Sequence, residues 1–348
     1  MLRLGIMTHQ IKDLQRFHPY VTVSREEGFD EILVFTPESV DLSRRYIRGF
    51  TYRNSCWQRV TRTFPSMSID IGYYTQVGQI QTVKRIKGTP LLPFVGYGLG
   101  NKWTIQKHLM SSPELSPYLL PTAMVKDCRT IFNYMNQYHC IMVKPLNGKG
   151  GKGIIKLSKD KTQYIWEETE ERTSISLTPS QTHDRLKKLL STNKYIVQKW
   201  IDIRDRDGHI YDIRVLVQKN KFGQWQLTGM GIRQANEEKI TSNLSGGGQA
   251  HPVFPFLKAQ FNEEKARNLI QRLELLAGKI PVHLESSYHK RLVELGLDLA
   301  VDHSGDLWVI EVNIKPGRTL WKKIGLEQAA DASLRAPIQY ALYLLKQK

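Results

Sequence analysis

Near the end of the chain, the stretch Gly296-Leu297-Asp298-Leu299-Ala300-Val301, a polar turn over Asp302 to Asp306, and Leu307-Trp308-Val309-Ile310-Glu311-Val312-Asn313 constrains the fold more than any other. Side chains alternate along a strand, so the two arms read as a hairpin whose register can be solved. Folding it between Ser304 and Gly305 sets Leu297, Leu299 and Val301 opposite Val312, Ile310 and Trp308, which makes one apolar face. The same register sets Asp298 opposite Glu311 on the other face, with Asn313 pointing the same way. Like charges facing each other across a sheet are destabilising, so the pair calls for a cation. Two carboxylates and an amide suit Mg²⁺ or Mn²⁺, which bind oxygen and often share their shell with substrate phosphates. An incidental solvent-facing hairpin is the plainer alternative, disfavoured because Asp and Asn are poor strand formers.

A second cluster is Val143-Lys144-Pro145-Leu146-Asn147-Gly148-Lys149-Gly150-Gly151-Lys152-Gly153. Gly148, Gly150, Gly151 and Gly153 let backbone amides approach an anion, and Lys144, at a strand end, can reach phosphate oxygens. Neither Ser nor Thr follows the Gly-Lys pairs and no helix follows the loop, so it is not a P-loop. A third segment, Val197-Gln198-Lys199-Trp200-Ile201, ends a strand and enters the polar turn Asp202 to Gly208. A polar side chain at a strand end beside an apolar wall can read the edge of an adenine.

Around these clusters the sequence reads as α+β. Strands are expected at Leu4–Met7, 31–35, 141–144, 153–157, 195–198, 213–217 and 225–230, and helices at 102–110, 182–190, Asn262 to about Lys279, and 333–345. The Pro- and Gly-rich run 90–100 marks a boundary. Three lobes follow: an N-terminal α/β lobe over 1–95, a lobe with the glycine loop over 96–200, and a C-terminal lobe with the metal site over 201–348.

A chain of 348 residues with 41% hydrophobic and 24% charged residues has the composition of a folded, multi-lobed protein. No run approaches the roughly 20 apolar residues of a membrane span and the start lacks a signal-peptide core, so a cytoplasmic location is expected. Cys56, Cys128 and Cys140 form no CxxC, and packing roles are expected for them. The net charge of +17 favours polyanionic partners. Its densest groups, Arg44-Arg45 with Arg48 and Lys187-Lys188, fall in no nucleic-acid-binding motif. Binding to nucleic acid or an anionic polymer is therefore the less favoured reading.

Taken in order, these segments resemble the ATP-grasp superfamily over residues 95 to 320. The resemblance implies a small α/β lobe followed by two α+β lobes that clasp ATP. It implies ligase chemistry, in which a carboxylate is activated as an acylphosphate and attacked by an amine or another nucleophile. Asn101-Lys102-Trp103 resembles the first phosphate-contacting lysine segment, Lys144 the second, and Gly148 to Gly153 the loop over the phosphates. Gln198, Lys199 and Ile201 match the adenine hinge, whose first position is commonly Glu. Asp205 or Asp207 falls where a ribose acid is expected, and Asp298, Glu311 and Asn313 match the metal ligands. The run from Asp212 to Val217, with Arg233 and Asn243 to Gly248, looks like the part of amine-adding ligases where an arginine, here Arg214 or Arg233, stabilises transferred phosphoryl charge.

In the N-terminal third, Phe35-Thr36-Pro37, Tyr46-Ile47-Arg48-Gly49-Phe50 and Trp57 resemble the endospore coat-associated YheC/YheD type. That likeness implies a sporulation context with spore coat proteins as partners, and leaves the carboxylate and amine substrates open. Arg48, Trp57 and Arg318 are candidates for the substrate pocket. The rival from another class is a spore-coat structural protein that keeps a nucleotide-binding fold without turnover.

Overall fold

A computed structural model describes residues 1–148, 151–169, 174–236 and 247–347. Among the described residues the strands form three sheets. The first lobe contains β1 (Arg3–Met7), α1 (His18–Glu26), β2 (Glu31–Phe35), β3 (Val40–Asp41), β4 (Tyr46–Arg53), β5 (Cys56–Thr63), β6 (Met67–Asp70) and α2 (Val77–Lys87). β1 lies between β2 and β6, parallel to both. Its residues and those of β2 are almost wholly buried, as continuous apolar runs in a parallel sheet must be.

α3 (Lys102–Met110) leads to the middle lobe, built from β7 (Thr122–Met124), α4 (Cys128–Tyr138), β8 (Cys140–Pro145), β9 (Ile155–Asp160), β10 (Gln163–Glu168), β11 (Ile175–Leu177), α5 (Pro179–Thr192) and β12 (Tyr195–Lys199). The third sheet holds β13 (Tyr211–Lys219), β14 (Trp225–Gln234), β15 (Gln249–His251), β16 (Glu294–Val301) and β17 (Leu307–Asn313), with α6 (Val253–Gln260) and α7 (Glu263–Tyr288) inserted before β16. α8 (Thr319–Lys323) and α9 (Glu327–Lys346) close the chain.

Asn262 caps α7, its side chain accepting from the Lys265 amide at 2.8 Å, and Glu263 and Glu264 stand in the first turn, where the helix dipole favours them. The helix was expected to end near Lys279, before Pro281, but continues to Tyr288. Ile280 and Leu284 are fully buried against the third sheet, and that packing outweighs the hydrogen bond lost at the proline. α9 likewise starts six residues before the expected Ser333.

Packing partners do not follow chain order. The segment from 96 to 121, expected with the middle lobe, sends Leu99, Ile105, Leu109, Leu115 and Leu119 into the core under the third sheet. α9, at the C-terminus, puts Ile338, Tyr340 and Ala341 into the first lobe's core beside Leu4, Ile6 and Val34. An apolar stripe joins whichever sheet face is uncovered within reach. Cys56 is exposed at the β4–β5 turn, against the packing role expected of it, while Cys128 and Cys140 are half-buried. No helix among the described residues is long and apolar enough to cross a membrane.

If α9 completes the first core, Ile338→Ala should lower stability by about 2–5 kcal/mol, as a shift in a urea unfolding midpoint followed by fluorescence; an unchanged midpoint would show that the helix merely rests on the surface.

Candidate active site

The outer half of the late hairpin has the expected register, with Leu297 opposite Val312, Asp298 opposite Glu311 and Asn313 beside Gly296. Beyond Asp298 a bulge shifts the pairing by one residue, so Leu299 meets Val309 and Val301 meets Leu307. The expected partners Ile310 and Trp308 therefore leave the main core. They join Trp200, Ile201, Ile203 and Ala300 in a separate cluster on the opposite face. An extra residue in one arm turns every later side chain over.

Asp298 lies inside a cage of cations. Arg214, its direct neighbour on β13, donates to it from Nε at 2.6 Å and from a terminal nitrogen at 3.2 Å. Arg233 on β14 reaches it at 3.0 Å and holds Asp212 through a second, paired contact. Asn313 donates to it at 3.3 Å. Glu311 is paired with Lys102 at 2.8 Å. The cation that the facing carboxylates demanded is thus present in the chain itself, as Arg214, Arg233 and Lys102. Charge repulsion alone consequently no longer argues for a metal, and the metal reading rests on the oxygen donor set. Burial pushes the Asp298 carboxyl up, but Arg214 and Arg233 outweigh it and hold the group below the usual carboxylate range. Arg233, opposed by its burial, is held above its ordinary value by Asp212 and Asp298. Gly296 makes room for the arrangement, since a side-chain carbon there would stand 2.7 Å from Pro316 Cβ.

Beside this cage a narrow cleft is lined by Lys102, Gln106, Lys144, Gln198 and Glu311, with Ile196, Ile310 and Val312 among its apolar walls. Lys102 and Gln106 come from consecutive turns of α3, Lys144 and Gln198 from the middle sheet, and Glu311 from the third. The Gln106 Nε2 is buried without a partner among the described residues. Unpartnered buried donors are rare, and one on a residue that lines a cleft beside two lysines fits a polyanionic ligand. Gln106 escaped the sequence reading, although its position four residues after Lys102 places it on the same helix face. Burial first, then the Lys102 charge, lower Lys144 to about 8, against the pull of Glu311 and Asp298.

The remaining candidates are placed as follows. Gly151 and Gly153 have φ of 78° and 67°, and a Cβ on Gly148 would stand 2.5 Å from Pro145 Cγ, so the turn itself requires all three glycines. Gly150 lies outside the described residues, as do Asn243 to Gly246. Lys199 turns its ammonium toward the Tyr138 ring at 5.8 Å, and Ile201 packs behind the cleft wall formed by Ile310. Asp205 is already engaged within its own turn. Its buried carboxylate closes its own turn by accepting from the amides of Asp207 at 3.0 Å and His209 at 2.9 Å, and it also binds Gln234. Asp207 is exposed. Of the substrate-pocket candidates, Arg318 is committed to Glu294 at 2.6 Å, Trp57 packs edge-on to Tyr52, and Arg48 lines an open hollow with Arg59 in the first lobe. The loop after β17 is latched to that lobe, Lys315 binding Asp70 at 2.9 Å.

Residues 91–344 match the family described as YheC/D like ATP-grasp. The chain belongs to that family. It is 26% identical to the endospore coat-associated protein YheC of Bacillus subtilis (strain 168), an alignment that covers 100% of this chain and 97% of the relative. Among solved structures it is similar to D-cycloserine synthetase DcsG, at 12% identity and a TM-score of 0.56, with 99% of each chain covered. It is also similar to the D-alanine-D-alanine ligase of Coxiella burnetii, at 12% identity and a TM-score of 0.52, covering 100% of this chain and 98% of the ligase. The α+β architecture is the ATP-grasp fold, as the resemblance implied, and the fold is one that ligases share.

The low value for Lys144 carries a pH consequence. The side chain loses its proton as pH rises through about 8, whereas a bound polyphosphate favours the charged form. If the cleft takes ATP, binding near that pH should take up a proton and weaken as pH rises further. Calorimetry in two buffers of different ionisation heat checks this, and the uptake should vanish in Lys144→Met.

Proposed function

We propose that this chain is an ATP- and Mg²⁺-dependent ligase that activates a carboxylate as an acylphosphate for attack by an amine or another nucleophile. What carries the reading is the convergence of Lys102, Gln106, Lys144, Gln198 and Glu311 on one cleft from α3, the middle sheet and the third sheet. Lys102 and Lys144 would hold the phosphates, with the loop from Gly148 to Gly153 over them. Gln198 and the backbone from Lys199 to Ile201 would meet the adenine. Asp298, Glu311 and Asn313 offer the oxygen donors that Mg²⁺ or Mn²⁺ takes, and such an ion would supply the charge that bridges them to phosphate oxygens. In the reaction the γ-phosphoryl group passes to a carboxylate oxygen and ADP leaves. The nucleophile then attacks the acyl carbon, loses its proton and expels phosphate. No side chain has to act as the nucleophile, so catalysis rests on positioning and charge. Arg214, the more open of the two guanidiniums, is assigned to the transferred phosphoryl charge, and Arg233 to holding Asp298 in place. The name of the YheC relative, an endospore coat-associated protein, supports a sporulation setting.

One observation favours a second reading, a nucleotide-binding coat protein without turnover: Asp298 and Glu311 already have protein cations as partners. Incubation with ATP, Mg²⁺ and a mixture of amino acids, short peptides and cell-wall fragments separates the two. The ligase releases ADP with at least one acceptor, while ATP bound with no ADP formed under any condition sinks that reading. Glu311→Gln should weaken Mg²⁺-dependent ATP binding by about tenfold or more, the scale of one charge-assisted contact. Unchanged binding by calorimetry would remove Glu311 from the metal site.

A further inference from the structure

The carboxamide of Gln198 lines the cleft yet is only 3% exposed. One end of a carboxamide accepts hydrogen bonds and the other donates them, so its orientation decides which base edge it can meet. Two neighbours settle that orientation. Thr122, its direct partner on β7, has a single hydroxyl proton and donates it to the Leu120 carbonyl at 2.8 Å. Only a lone pair is left for Gln198, whose Nε2 donates to it at 2.9 Å. At the other end the ammonium of Lys144, which can only donate, contacts Oε1. Thr122 is itself 8% exposed, so water does not readily replace it.

We infer that Thr122 is a positioning residue for base selection: by spending its proton on Leu120 it holds Gln198 with the oxygen toward the cleft. This rests on the reading of the cleft as a nucleotide site. A purine with a 6-amino group then meets an acceptor, and a 6-oxo purine sets carbonyl against carbonyl. A glutamate at this position would need no such lock, because both of its oxygens accept. The amide at Gln198 does need one.

Titration calorimetry of the full chain with ATP and with inosine triphosphate tests the assignment in wild type, Thr122→Val, Thr122→Ser and the double variant Thr122→Val/Gln198→Glu. Wild type should prefer ATP by about tenfold or more, the scale of one mismatched buried hydrogen bond. Thr122→Val, close to Thr in shape but without the lone pair, should lower the ratio, the Lys144 contact to Oε1 keeping part of the orientation. Thr122→Ser should keep the ratio. The double variant should restore it, since a carboxylate has no donating end. If Thr122→Val does not fold, Thr122→Ala carries the same measurement. Equal weakening of both nucleotides with an unchanged ratio overturns the selection role while leaving the nucleotide site standing. Binding of neither nucleotide to wild type overturns the nucleotide reading and this assignment together.

Discussion

Asp298 is buried between two guanidiniums, and the third sheet is arranged around that contact. A carboxylate taken out of water is tolerated only where opposite charge and hydrogen bonds replace its hydration. Arg214 and Arg233 do so from two neighbouring strands, and Asp212 in turn balances Arg233. Removing one partner from such a buried set typically costs about 3–5 kcal/mol, because the others are left charged and dry. The network thus ties β13, β14 and β16 together on the face opposite the main core. It sets where Glu311 and Asn313 stand, and through the 2.8 Å pair with Lys102 it reaches α3 as well.

That last link explains why α3 matters to the cleft. Its apolar side is anchored in the third core through Ile105 and Leu109, while Lys102 and Gln106 line the cleft with the side chains of the middle sheet. The first lobe is held to the same region by α9 in its core and by Lys315 on Asp70. Burial raises the Asp70 carboxyl and the charges of Lys315 and Lys87 overcome it, leaving the acid below its usual range and paired. The cleft itself is shared by the middle sheet and the third core with α3, and neither contains it alone.

The alternating arms around Asp298 and Glu311 were readable because period-two patterning and a short turn leave few registers. The reading failed at Ile310, where a bulge follows from how the sheet twists and packs rather than from any local residue preference. Asp205 shows what spacing alone leaves out. Its spacing from Gln198 suits a ribose acid, but Asp carboxylates readily accept from amides two to four residues on, and here that turn holds it. Gln106 was legible in principle from its spacing to Lys102. Thr122 was not, since nothing nearby in sequence connects it with Gln198.

By itself, then, the sequence determined the α+β character, the opposition of Asp298 and Glu311, the strand that carries Lys144 and the family resemblance, because these rest on periodicity and short spacings. Tertiary structure alone decided that Arg214, Arg233 and Lys102 neutralise the acids, that the segment from 96 to 121 joins the third core, and that Thr122 orients Gln198. Those contacts join residues from about twenty to about two hundred positions apart, and only packing of apolar faces brings such groups within hydrogen-bond reach.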